Sequence, residues 1–157
     1  MSNETIMAIT PEMFTEREKS LVTYGELAVT VFEFTSGVCG LRMQNQAGEV
    51  VMLPFQGQQI WSACFDGRSL TMRSQFSEPQ PTQDYLANYG GFLVHCGATA
   101  MGCPGPKDTH PLHGELPNAR YQEALVTTGC DENGHYVQLS GRYRHTVAFT
   151  CDYIARP

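Results

Sequence analysis

Apolar and polar positions alternate along most of this chain with the period of an extended strand. In LAVTVFEFTS, residues 27–36, Ala28, Thr30, Phe32 and Phe34 fall on one face and Val29, Val31, Glu33 and Thr35 on the other. β-branched and aromatic residues dominate the run, which predicts a strand. GLRMQN and EVVMLPF flank NQAG at residues 45–48, the pattern of a hairpin closed by a short glycine-containing loop. IWSACF and SLTMRS flank DGR at residues 66–68, where Asp-Gly suits the positive φ of a tight turn. EALVTTG and YVQLSGRYRH flank DENG at residues 131–134, a third hairpin, and TVAFTCDYIA alternates again as a last strand.

Two stretches are candidates for helix. One is PEMFTEREKSL at residues 11–21, where Pro11 suits a first helical turn. The other is TQDYLANYGG, which ends in two glycines. Strands meeting at short turns outweigh both, so the expected fold is all-β: one antiparallel β-sandwich domain over residues 1–157. The exception is residues 97–120, which hold four prolines and no strand pattern. A loop of that length inside a compact domain points to function.

Composition narrows the partners. The net charge is −6, and no stripe of Lys and Arg appears, which argues against a nucleic-acid surface. No apolar run is long enough to cross a bilayer, and the first twelve residues show no secretory signal, so no membrane association and a cytoplasmic location are expected. Six cysteines without a CxxC pair then read as free thiols.

The chemistry concentrates in DTHPLHGELPNAR, residues 108–120. One reading is a metal site built from His110, His113 and Glu115, since His-x-x-His-x-Glu loosely resembles cupin-type barrels. Cupins, however, place two histidines one residue apart on a strand, and here Pro111 and Leu112 intervene. The other reading is a site for a small-molecule sugar, with no metal and no cofactor. His113, Asn118, Arg120, Glu115 and His110 supply planar polar groups, and Trp61, Phe92 and Tyr121 supply apolar walls. A neutral imidazole both donates and accepts, which suits a hydroxyl. Gly114 beside His113 suggests close approach of a ligand to the backbone.

PLHGELPNARYQEA resembles the LHG segment of galactose mutarotase-like proteins, the aldose 1-epimerase superfamily. The wider block YGGFLVHCGATAMGCPGPKDTHPLHGELPNARYQEA, with LPFQGQQIWSACFDGRSL before it, is more similar still to an uncharacterised branch of that superfamily. The resemblance implies a large antiparallel β-sandwich that binds an aldose or similar sugar. It further implies a carboxylate base and a histidine acid working at the anomeric centre, with His113 holding the substrate. Chains of that kind are about twice this length, in keeping with the size large sandwiches reach. Their acid and base lie downstream of LHG, and none of Glu123, Asp131, Glu132, His135, His145 or Asp152 matches that pair here. The catalytic residues are therefore unassigned. The expectation is the first half of such a sandwich, completed by a homodimer or by a partner chain.

Overall fold

The structure is a computed structural model that describes residues 4–146 and 149–156. Two antiparallel sheets face each other. Strands β1 (Thr5–Ile9), β8 (Glu123–Asp131), β9 (Gly134–Thr146) and β10 (Phe149–Ala155) form one sheet, in the order β1-β8-β9-β10. Strands β2 (Lys19–Tyr24), β3 (Leu27–Glu33), β4 (Cys39–Gln44), β5 (Gly48–Met52), β6 (Ile60–Phe65) and β7 (Arg68–Ser69) form the other, in sequence order. The fold is an all-β sandwich.

Its core follows from the alternation. Val29, Val31, Leu41, Met43 and Met52 point inward from the six-stranded sheet. Ile9, Ala124, Val126, Val137 and Leu139 meet them from the four-stranded sheet, so side chains from both sheets form one apolar cluster. Of the two faces in residues 27–36, the valine face is therefore the inner one. Phe32 and Phe34 instead pack on a second cluster of Val38, Val51, Leu53 and Trp61.

The expected hairpins β4–β5 and β8–β9 are present, and the Asp66-Gly67 turn closes β6–β7, but its returning arm is only Arg68–Ser69, so SLTMRS does not form the expected strand. Asp66 and Gly67 have φ of 49° and 72°, the left-handed pair that a two-residue hairpin turn requires. The expected last strand is β10, although Val147 and Ala148 of TVAFTCDYIA lie outside the described residues.

The helical expectation at residues 11–21 is overturned. Only Pro11–Met13 winds, as a single 3-10 turn, and the chain then passes a bend at Glu16 and Arg17 into β2. Pairing with β3 satisfies the backbone of Lys19–Tyr24, and Phe14 is held in the core edge-on to Phe55, with ring centroids 5.8 Å apart. Tertiary pairing overrides local propensity here. TQDYLANYGG likewise yields only a 3-10 turn, at Leu86–Asn88. Strand β1, unforeseen in the sequence, pairs with β8 from Thr5↔Thr128 to Ile9↔Ala124 and so ties the start of the described chain to the later sheet.

The long segment between β7 and β8 is pinned to the β5–β6 connection. Gly57 N–H donates to Ala119 O at 2.7 Å, and Tyr121 N–H donates to Phe55 O at 3.0 Å. Gly57 has φ of 62°, and a Cβ there would lie 2.1 Å from Pro117 O. Only glycine permits that approach. The LPFQGQQIW and LPNAR stretches are thus built against each other.

Candidate functional site

Residues 111–119, Gln83, Tyr85 and the end of β9 enclose a cleft of about 230 Å3. The geometry of β9 explains how. Val137, Leu139, Gly141, Tyr143 and His145 share one face by the period of two. Val137 and Leu139 fill the core, and the same face runs on past its end to Tyr143 and His145. The overhang brings these two rings against the loop. Tyr121 packs beneath, 5.8 Å from the Tyr143 ring centroid.

Glu115 lies in the cleft wall. Its Oε1 accepts from the backbone N–H of Ala98 at 2.7 Å and of Thr99 at 2.8 Å, and its Oε2 accepts from the Thr99 hydroxyl at 2.8 Å. Partial burial works against its charge, but these backbone and hydroxyl donors outweigh that cost and hold its pKa below the usual carboxylate value. Tyr143 has its pKa raised, first by burial and then by the Glu115 charge, so it stays a neutral phenol. Its hydroxyl lies 3.2 Å from His145 Nδ1, in a hydrogen bond whose direction follows the imidazole tautomer. Tyr85 is also a neutral phenol, shifted upward by burial and then by Tyr89 and Cys96.

The expected site residues are not gathered in one place. His113 has φ of 62°, and its ring packs at a tilt against Tyr85 with centroids 4.5 Å apart. Its backbone closes the loop, with N–H donating to Gly102 O at 2.8 Å and O accepting from Gly97 N–H at 2.9 Å. His113 therefore stands behind the Tyr85 wall. His110 turns back on its own loop, its Nδ1 2.8 Å from Pro111 O and its Nε2 3.9 Å from an Asp108 oxygen. Gly114 does permit a close approach, but to Ala100 O, which a Cβ would meet at 2.1 Å.

Asn118 is buried and acts as a hub. Its Oδ1 accepts from Gln59 Nε2 at 2.8 Å, Asn88 Nδ2 at 2.8 Å and Gln56 Nε2 at 3.3 Å. Its Nδ2 donates to Asp84 O at 3.2 Å. Its oxygen is thus fully committed within the protein and one of its two N–H donors as well, so the amide holds the loop. Arg120 lines a different cavity on the other side of Asn118. Of the five, Glu115 and Asn118 line the cleft, and His113 supports it through Tyr85. Of the expected apolar walls, Trp61 lies in the second core cluster and Tyr121 under Tyr143.

Sequence reasoning overlooked Tyr85 and Tyr143, and it named His145 only to set it aside as no match for the catalytic pair. The available signal was the alternation of β9, which places Tyr143 and His145 two residues apart on the core-facing side. Gln56 and the buried pair Gln58 and Gln59 were a further signal, three amides in the otherwise apolar run LPFQGQQIW. Among the described residues, no three His, Cys, Asp or Glu side chains converge to hold a metal ion, and His110, His113 and Glu115 do not form such a set. All six cysteines are unpaired. No helix among the described residues is long and apolar enough to cross a membrane.

Comparison with known proteins returns no match: no family model, no curated protein and no solved structure. The chemistry of the cleft therefore has to speak for itself. It combines two phenol rings, one imidazole, one ionised carboxylate and the Gln83 amide around a small open space. Flat apolar faces beside neutral donors and acceptors suit a polyhydroxylated ligand.

Proposed function

We propose that this chain binds an aldose in the cleft between residues 111–119 and β9, and that it is a carbohydrate-active protein of the aldose 1-epimerase kind. The observation that carries the reading is the convergence of Glu115, Tyr143 and His145 beside Tyr85 on one cleft. Tyr85 and Tyr143 offer ring faces to the C–H side of a pyranose. Gln83, His145 and the Tyr143 hydroxyl offer hydrogen bonds to its hydroxyls.

Interconversion of anomers needs a base for the anomeric hydroxyl proton and an acid for the ring oxygen. Glu115 is held ionised, and its Oε2 accepts only one described hydrogen bond, which leaves a lone pair for a sugar hydroxyl. An imidazole, that of His145, stands on the same cleft. In this reading Glu115 takes the proton and His145 supplies one. The ring opens, the C1–C2 bond rotates, and reclosure returns both protons.

A second reading is binding without chemistry. The fixing of Glu115 by Ala98 and Thr99 favours it, because a carboxylate that closes its own loop is less free to move a proton. Polarimetry on freshly dissolved aldoses separates the two. Catalysis predicts decay of optical rotation above the buffer rate, slowed at least tenfold in Glu115→Gln and His145→Ala, as loss of general acid–base help does. A background rate despite measurable binding supports the second reading. A background rate with no binding by any aldose contradicts both.

A further inference from the structure

On the far side of Asn118 lies a second concavity, of about 190 Å3, lined by Val38, Cys39, Phe55, Gln56, Thr82 and Arg120 with adjoining backbone. Among the described residues, Arg120 is the only charged side chain that lines it. This guanidinium makes no ion pair and no side-chain hydrogen bond among the described residues. Its donors are therefore free to meet an anion in the cavity.

The other polar groups point the same way. Thr82 Oγ1 already accepts from Asp84 N–H at 3.0 Å, so its own proton is left to donate. Gln56 Nε2 is committed to Gln80 O at 2.8 Å and to Asn118 Oδ1. The Cys39 thiol is pushed up to about 11 by burial and by the carboxylates of Glu33 and Glu12, so it stays protonated and adds no negative charge. Arg120 and Thr82 therefore bring uncommitted donors to the space, while Val38 and Phe55 supply apolar surface. The volume is below the roughly 300 Å3 at which drug-sized sites begin, so the space suits one ring or a short chain.

We infer that this cavity is a binding site for a small organic carboxylate, its anionic group paired with Arg120 and Thr82 and its apolar body lying against Phe55 and Val38. Arginine suits this task because its planar fork matches a carboxylate with two parallel N–H···O bonds. The site is separate from the aldose cleft and does not depend on that reading. Asn118 stands between the two as a shared wall.

Titration calorimetry of the whole chain tests the site with three probes: benzoate, benzyl alcohol and inorganic phosphate. Benzoate is expected to bind saturably. Benzyl alcohol, which lacks the charge, and phosphate, which lacks the apolar body, are each expected to bind at least about tenfold more weakly. Arg120→Gln should weaken benzoate by about tenfold or more, Arg120→Lys should restore part of the loss, and Thr82→Val should cost severalfold. Thermal melting of each variant confirms folding, which the exposure of Arg120 favours. Absence of saturable benzoate binding overturns the proposal, as does benzoate binding that Arg120→Gln leaves unchanged. Phosphate binding as tight as benzoate overturns the assignment to an organic carboxylate.

Discussion

Glu115 grips Thr99 twice, through the backbone N–H at 2.8 Å and the hydroxyl at 2.8 Å, and so ties two points of one loop sixteen residues apart. The same carboxylate forms part of the cleft wall. The loop's shape and the site's charge therefore rest on one side chain.

That relationship has a pH signature. The folded pKa of Glu115 lies below its ordinary value, so its contribution to stability is complete above the ordinary carboxylate range. It is lost as the pH falls through the folded value. Glu115→Gln, which keeps the size but removes the charge, should lower stability at neutral pH by about 1–2 kcal/mol and flatten the acid limb of the stability curve. Urea unfolding at pH 7 and pH 3.5 checks both effects.

Asn118 should behave as a structural residue. Asn118→Ala strands the buried donors of Gln59 and Asn88, at a cost of about 2–4 kcal/mol. A variant with unchanged unfolding midpoint and lost ligand binding would assign Asn118 to the ligand instead.

Gly114 and Gly37 provide a matched comparison. Both have positive φ, 86° and 83°, but a Cβ at Gly114 meets Ala100 O at 2.1 Å while one at Gly37 meets nothing within 4 Å. Gly37→Ala should cost about 1 kcal/mol from the backbone alone, and Gly114→Ala clearly more, with the loop displaced. Thermal melts of the two variants side by side decide it.

His95 should make the fold acid-sensitive in a second window. Its Nε2 lies 3.2 Å from Gln58 O, which requires that nitrogen to carry a proton and donate. Burial lowers its pKa despite this bond. A depressed imidazole contributes stability above the ordinary histidine range and loses it as the pH falls through the folded value. His95→Gln should remove the part of the stability loss seen between pH 7.5 and pH 5.5, measured by urea midpoints.

The sandwich was legible because its strands alternate and its hairpin turns use Asp66, Gly67 and Gly134 where positive φ is needed. Strand β2 was not legible, because the charged run Glu16–Lys19 leads into it and hides its short alternation, and its extended form comes from pairing with β3. The chemical richness of residues 108–120 was legible, but its direction was not. Asn118 spends its carbonyl oxygen holding the loop, Glu115 divides its oxygens between the loop and the cleft, His113 backs Tyr85, and Arg120 faces another cavity. A linear reading sees these residues as one set, whereas the fold sorts them by which side of Asn118 they reach. The open side of the cleft comes instead from Tyr85, Tyr143 and His145, brought in from distant parts of the chain.

The most direct test of the central claim is heteronuclear NMR titration with a panel of aldoses, comparing the unmodified chain with Tyr143→Ala. The account predicts saturable shifts for at least one aldose, centred on Tyr85, Glu115, Tyr143 and His145, and an affinity loss of about tenfold or more in the variant, in line with base rates for aromatic contacts. Shifts absent for every aldose, or confined to residues away from this cleft, would contradict it.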